Sequence, residues 1–593
     1  MFRKLPLNPD RSAVNNFFII SLLVFYPLLF IWQGLDFTDT GYVITNYQLI
    51  FSDPSSVEAS FRIWLTDILG GIWGYFFGDT LGLLGYRIAA VLLVYATLYC
   101  SFKILQPYIE RRYLYWGLFL ALIFINRSGY LFNYNSLTAF FYVLAAYFFI
   151  DGLKSRENLK IFVAAFVLGL NIFIRLPNIL GFFLVIAIFF YGYIRRDPIS
   201  SQVKQALFFL SGYIAAVLLT LLAIYLLGHL DGYIAAFKGT FTMLKDPTGH
   251  HNSDKLINIF LRHHKTMAYV MGWIILGLTA VALVLTVTAK LGSRLLQFAV
   301  ILAAAAATLY YFYDFCLDWV NMLMITLGSL NLGLVLLLWR GNLTGAGQQE
   351  LRPVALVALL ILILAPLGSN VALRNSIYGM YLAIPLVFAF CARIKEIKIS
   401  TGPLGLRVNK SELNLLKAVA TLLFVFFTLQ SAYYYTYRDA SDRFKMAYPV
   451  QHERLKGVFT TRERAQVVQE LLDELPHYVK EGDYLLAYEQ ISLVYFLTKT
   501  KPYLYSAWPM LYGPDKFREA LEKAEKERPY LPVIVRAKGN TEDFDWPKSK
   551  SPLVQTVYHV ENRKTMERFI REKQYKTVWQ NSFFEILTPP PYR

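Results

Sequence analysis

Two carboxylates stand at the exit of a long uncharged run. From Asn15 to Gln33 the chain reads "NNFFIISLLVFYPLLFIWQ" without a charge, and "GLDFTDTGY" follows at 34–42 with Asp36 and Asp39. A carboxylate at the hydrocarbon edge is costly to desolvate and calls for water, a cation or a reaction. Here it could act as general base toward a hydroxyl or amine, or ligate a divalent cation. The simpler reading, a helix end in water, competes with both.

Other chemistry-bearing residues cluster in short breaks between apolar runs. "NRSGYLFNYNSL" (126–137) groups Asn133, Tyr134 and Asn135, side chains that suit sugar hydroxyls as well as a polar turn capping two helices. "NIFIRLPN" (171–178) sets Arg175 beside a proline in apolar sequence, and an arginine at membrane depth normally faces a cavity or a partner. "GSNVALRNSIYG" (368–379) carries Asn370 and Arg374 just before an apolar run, which makes Arg374 a candidate for a lipid phosphate. "DPTGHHNSDK" with the later "RHHK" brings His250 and His251 among cations. Phosphate attraction, a metal site and a plain solvated loop all remain open there.

Composition says what must position these residues. The 593-residue chain is 56% hydrophobic and only 17% charged, where soluble domains carry about 25%. This is a polytopic α-helical membrane protein. The net charge of +17 fits basic loops that set topology and meet anionic lipid, so nucleic acid is not an expected partner. The three cysteines are far apart and offer no disulfide framework or metal spacing. No Walker loop, dinucleotide fingerprint, nucleophile elbow or zincin motif occurs, which disfavours an ATP-driven pump.

At about 20 apolar residues per span, about thirteen transmembrane helices are expected: 16–35, 85–104, 113–129, 137–152, 160–176, 178–194, 206–228, 267–289, 295–313, 320–339, 353–368, 378–393 and 415–434. Short or broken segments are expected around Arg175 and Pro366. Lys- and Arg-bearing loops such as "KSRENLK", "RRDP" and "RIKEIKISTGPLGLRVNK" then fall on one side, the inside. The opposite side collects the unusual loops, including an outer loop at 36–85 with amphipathic pieces that would lie on the membrane surface. From 435 the chain turns charged. "DYLLAY", "LPVIVRA" and "FFEIL" read as strands around a helical "GPDKFREALEKAEKER". Two domains follow: 1–434 in the membrane, and 435–593 as a soluble α/β domain on the outer side.

This arrangement resembles the glycosyltransferase C superfamily, which includes protein O-mannosyltransferases, lipid A aminoarabinose transferases and oligosaccharyltransferase catalytic subunits. "TDTGY" (38–42) is similar to the Asp-Glu-x-x-Tyr type of opening of their first outer loop, with Thr40 where Glu is common. The resemblance implies Asp39 as catalytic carboxylate, with Asp36 as a second acid and Tyr42 at the family's tyrosine, and it leaves a divalent metal on this pair open. It implies an inverting transfer of a sugar from a polyprenyl-phosphate donor to a glycan, lipid or protein acceptor, on the outer face of the cytoplasmic (inner) membrane. Arg374, with Arg175 or the His250–His251 loop, would meet the donor phosphate. Two other classes stay open. A lipid-linked glycan polymerase or ligase would lean on an outside Arg or His, and a transporter or flippase would need an internal repeat that the sequence does not show.

Overall fold

The computed structural model describes residues 9–126, 131–245, 252–340, 351–399, 406–544, 546–547 and 553–590. Helix α1 (Pro9–Phe25) leads through a short 3-10 turn to α2 (Asp39–Leu49), a 3-10 segment (Pro54–Ile63) and the long α3 (Trp64–Leu105). Then come α4 (Arg111–Ile125), α5 (Tyr134–Ser155), α6 (Asn158–Ile174), a 3-10 stretch (Leu176–Val185) and α7 (Ile186–Arg195). The series continues with α8 (Ile199–Leu226), α9 (Leu230–Lys245), α10 (Ser253–Lys290), α11 (Arg294–Leu317) and α12 (Trp319–Arg340). It closes with α13 (Leu351–Leu364), α14 (Ile377–Arg393) and α15 (Lys410–Tyr434).

Each of the thirteen expected apolar segments overlaps one of these helices, and the first ends at Phe25, well short of the expected 35. Nine helical stretches among the described residues are long and apolar enough to cross a membrane. Their surfaces fit lipid: only 11% of the apolar window of α10, and the same share of α11, is buried inside the protein. Apolar faces that wide would not be left to water. The break expected at Arg175–Pro177 is present, with Arg175 extended between α6 and the 3-10 stretch. The proline supplies no amide and cannot continue the helix.

Three features depart from expectation. "GHLDGY" opens helix α9 rather than a loop. Helix α10 starts at Ser253, so "RHHK" lies on a helix instead of in a loop. The amphipathic piece of the first loop and the following apolar segment form one helix, α3, broken at Gly82. Gly82 has φ +52°, and a Cβ there would sit 2.3 Å from the carbonyl oxygen of Arg454, so only glycine permits both the bend and the contact.

Between α14 and α15 lies a small antiparallel hairpin, β1 (Ile397–Ile399) and β2 (Leu406–Val408). Beyond α15, β3 (Tyr448–Pro449) pairs with β4 (Phe459–Thr460), and helix α16 (Arg462–Glu474) follows. The main sheet then forms from β5 (Tyr484–Tyr488), β6 (Lys501–Pro502), β7 (Val533–Ala537), β8 (Lys576–Gln580) and β9 (Phe584–Thr588), in the order β6-β5-β7-β9-β8. Strands β6, β5 and β7 are parallel, while β9 runs antiparallel to β7 and β8. Helices α17 (Leu493–Thr498), α18 (Pro514–Glu527) and α19 (Val557–Glu572) make the crossovers. The alternating strands seen in the sequence are therefore a mixed α/β sheet, with Leu485, Leu486, Ile534, Val535 and Ile586 wholly buried.

Candidate active site

The site is built where the loop at 36–85 meets the sheet domain. Arg87 of α3 gathers the end of the first apolar segment by donating to the carbonyls of Ile31 (2.8 Å), Gln33 (3.0 Å) and Gly34 (2.5 Å). Gly34 N–H donates to Phe459 O at 2.8 Å, and Leu35 N–H to Asp439 Oδ2 at 2.5 Å. Phe37 is fully buried against Trp546 and Phe584, and its carbonyl accepts from Leu493 N–H at 3.0 Å. "GLDFTDTGY" is thus fixed from both sides before its acids come into play.

The two acids have different tasks. Asp36 is buried and faces back into the start of α2. Its Oδ1 accepts from Thr38 N–H (2.9 Å) and Thr38 Oγ (2.6 Å), and its Oδ2 accepts from Thr40 N–H (2.7 Å). Those amides are the ones a helix start leaves unpaired, so Asp36 does the work of a cap. Asp39, relieved of that duty, keeps 27% of its side chain exposed. It accepts a hydrogen bond from the Tyr437 hydroxyl, and its Oδ2 lies 3.0 Å from Arg438 Nη2. Burial raises the Asp39 carboxyl above its ordinary value. Asp36 and Glu542 add to the rise, while Arg438 and the Tyr437 hydroxyl oppose it.

Arg438 is the hub of the contact. Besides Asp39 it donates to Thr38 Oγ and, at 2.5 Å, to Glu542 Oε1, and its guanidinium lies 5.7 Å from the Trp508 ring centre. The neighbouring Asp439 is wholly buried and pairs at 2.6 Å with the wholly buried Arg464, which lies over Trp546. The segment 437–439 therefore joins the exit of α15, the first loop and the sheet domain.

Tyr134, the first residue of α5, stands where the charges of Asp39, Arg175 and Arg62 are all felt. Arg175 donates to the Tyr378 hydroxyl at 3.3 Å. With the Asn375 amide oxygen turned toward it, it donates there through both terminal nitrogens, at 2.7 and 2.8 Å. Tyr378 in turn donates to Asn135 Oδ1. Among the described residues Arg175 has no carboxylate partner, so this half-buried guanidinium is held in place by neutral groups with its charge unbalanced. Such a position suits a phosphate oxygen.

The remaining expected residues lie as follows. Tyr42 is buried against Trp508, close to Arg62 and Asn46. Asn133 caps α5 by accepting from the amides of Asn135 and Ser136, which is the polar-turn reading of that segment. Asn370 and Arg374 are exposed. Arg374 shares the surroundings of His263 with Arg262 and His264, apart from the Asp39 network. His250 and His251 lie outside the described residues.

Sequence reasoning did not single out Arg62, Tyr437, Arg438, Trp508 or Glu542. "YRD" directly after the last apolar run was the available signal for two of them.

The donor set does not suit a divalent cation held between Asp36 and Asp39. Asp36 spends both oxygens on α2, and Arg438 occupies the cationic position against Asp39. Among the described residues no three His, Cys, Asp or Glu side chains gather as metal ligands.

No protein-family model matches the sequence, and neither does any curated protein. Among solved structures, the chain is similar to the Archaeoglobus fulgidus oligosaccharyltransferase in complex with Zn and sulfate, with TM-score 0.42 and 13% identity over 88% of this chain and 67% of that one. The same enzyme tethered through a disulfide bond to an acceptor peptide containing the NVT sequon gives TM-score 0.42 and 13% identity, over 88% and 69%. Its apo form gives 0.40 and 12%, over 88% and 69%. A likeness this distant carries no argument about activity, which rests on the site.

Proposed function

We propose that the protein is a multi-pass membrane glycosyltransferase. It moves a sugar from a polyprenyl-phosphate donor to an acceptor on the outer face of the cytoplasmic membrane, with inversion. The observation that carries this reading is that Asp39, a partly exposed carboxylate with raised proton affinity, and Arg175, a cation with no carboxylate partner among the described residues, are both near enough for their charges to act on Tyr134.

In the step itself the acceptor heteroatom attacks the anomeric carbon while Asp39 takes its proton. The carbon–oxygen bond to phosphate breaks on the opposite face, and the phosphate leaves with the bonding electron pair. Arg175 meets the charge that develops on that oxygen. Arg374, with Arg262 beside it, sits nearer the lipid-facing helix α10 and would draw the donor headgroup in. Tyr134, Asn135 and Tyr378 offer hydroxyl and amide groups to sugar oxygens. In this reading domain 435–593 lies on the outer side together with loop 36–85, and the contact of Arg438 with Asp39 supports their sharing one side.

The test uses purified protein with polyprenyl-phosphate sugars and a panel of glycan, lipid and peptide acceptors, scored by release of polyprenyl phosphate and by the anomeric configuration of the product. Retention, or flipping of the lipid without transfer, would refute the reading. Cysteine labelling in a cysteine-free background should place 195–205 and 395–412 inside and 440–593 outside. Labelling of the sheet domain from the cytoplasm would refute the outer-face assignment.

A further inference from the structure

Arg438 is shared by two carboxylates, one at each terminal nitrogen. Nη2 lies 3.0 Å from Asp39 Oδ2, and Nη1 lies 2.5 Å from Glu542 Oε1. One guanidinium therefore faces two negative charges, although a single carboxylate would balance it. Glu542 is not there by chance of a loose loop. Its own amide donates to Asn540 Oδ1 at 2.9 Å, and Thr541 donates to the carbonyl of Gln490 at 2.6 Å. Arg464 holds the carbonyls of Phe544 and Trp546 at 3.1 Å each. The carboxylate is presented from a segment pinned on both sides.

The extra charge has a use if Asp39 is a base. On accepting a proton Asp39 becomes neutral, and a cation only 22% exposed would lose its counter-ion, an expensive state in a poorly hydrated place. We propose that Glu542 is a positioning residue, the reserve counter-ion of Arg438, which takes over the guanidinium when Asp39 accepts the acceptor's proton. The proposal rests on the reading of Asp39 as the base. Bonds balance simply: the proton passes from the acceptor heteroatom to Asp39, the Arg438–Asp39 ion pair becomes a hydrogen bond from the guanidinium cation to a neutral carboxyl group, and the Arg438–Glu542 pair remains.

Five groups face Asp39, from four places: Asp36 ahead of α2, Tyr437 and Arg438 after α15, Glu542 after β7, and Tyr134 on α5. Of these, Asp36 is committed to helix amides and Tyr437 is neutral. Glu542 is thus the group whose removal changes the charge around the Asp39–Arg438 pair while leaving the cap of α2 in place.

The experiment reads the protonation of Asp39 in the full chain without substrate. Purified protein is treated with a water-soluble carbodiimide and glycine methyl ester across a pH series, and modification of the Asp39 peptide is followed by mass spectrometry. Glu542→Gln should move the midpoint for Asp39 down by about one pH unit, since one neighbouring negative charge is lost at partial exposure. Arg438→Gln should move it up, and Glu542→Asp should restore most of the wild-type position. A purely structural role for Glu542 gives no such opposed pair of shifts. Under transfer conditions the acidic limb of kcat/KM should follow the labelling midpoint, with the plateau of Glu542→Gln lower by roughly 3- to 10-fold because the base is weaker. An unchanged midpoint in folded Glu542→Gln overturns the proposal. A shifted midpoint with an unshifted acidic limb overturns instead the assignment of Asp39 as base, on which the proposal depends.

Discussion

Gly41 and Leu493 fix how closely helix α2 lies against the sheet domain: a Cβ on Gly41 would come 2.1 Å from the Leu493 amide nitrogen. That nitrogen donates to the Phe37 carbonyl at 3.0 Å, so the close approach and the hydrogen bond hold the same junction. Gly41→Ala should therefore push α2 off Ser492–Leu493 and move Asp39 relative to Arg438. We expect transfer to fall by at least about 100-fold, as displacement of about 1 Å commonly costs, with faster proteolytic release of the C-terminal domain. Wild-type protease resistance in Gly41→Ala would refute this junction.

The two acids should separate cleanly on substitution. Asp39→Asn removes the proton acceptor from a partly exposed position and should lower kcat by about 10²–10⁴-fold with little change in thermal stability. Asp36→Ala removes a cap from α2 and should cost about 0.5–2 kcal/mol of stability, read as a lower melting temperature in detergent. An active Asp39→Asn protein would end the general-base assignment.

Arg175 and Arg374 should differ in kind. Loss of a charged hydrogen bond to phosphate costs about 1.5–3 kcal/mol, or roughly 10- to 150-fold. In Arg175→Ala that loss should fall on kcat/KM with kcat included, because the charge would be met as the phosphate leaves. In Arg374→Ala it should fall mainly on the donor KM. Lysine should rescue Arg374 better than Arg175, whose two terminal nitrogens both reach Asn375. Equal effects of both alanine variants on donor KM alone would place the phosphate between them in the ground state.

Glu489 supplies a pH test of the sheet domain. It follows β5, is buried, and pairs with Arg563 at 2.8 Å, and burial pushes its carboxyl up to about 7 against that arginine. The folded state thus holds a proton that the unfolded state has released between about pH 4.5 and 7. The contribution of this group to stability is present at low pH and is lost as pH rises through that window. Glu489→Gln should gain on wild type in melting temperature between pH 5 and pH 8, measured by near-ultraviolet circular dichroism. A difference that does not change with pH would refute the shift.

The apolar helices were legible because lipid solvation demands long runs without charge, and those runs are local. The break at Arg175–Pro177 was legible for the same reason, as were strands 484–488, 533–537 and 584–588. Helix α9 escaped because Asp231, Gly232, Lys238 and Gly239 interrupt its apolar residues and leave no run of spanning length. Asp36 could have been told from Asp39 in part, since an aspartate in a turn commonly accepts from the amide two residues on, here Thr38. Arg438 and Glu542 could not have been assigned to Asp39. Their contact joins segments far apart in the chain, and no local pattern records it.

The clasp of Arg438 on Asp39 also orders events during synthesis. Asp39 leaves the ribosome near the beginning, whereas Arg438 follows the last apolar helix and Glu542 follows β7. A nascent chain therefore carries its acid through membrane insertion with neither Arg438 nor the Glu542 that pairs with it in place. Competence arrives only when the sheet domain closes over the first loop. On the proposed reading an unfinished chain holds no assembled site, a safeguard supplied by the order of the residues alone.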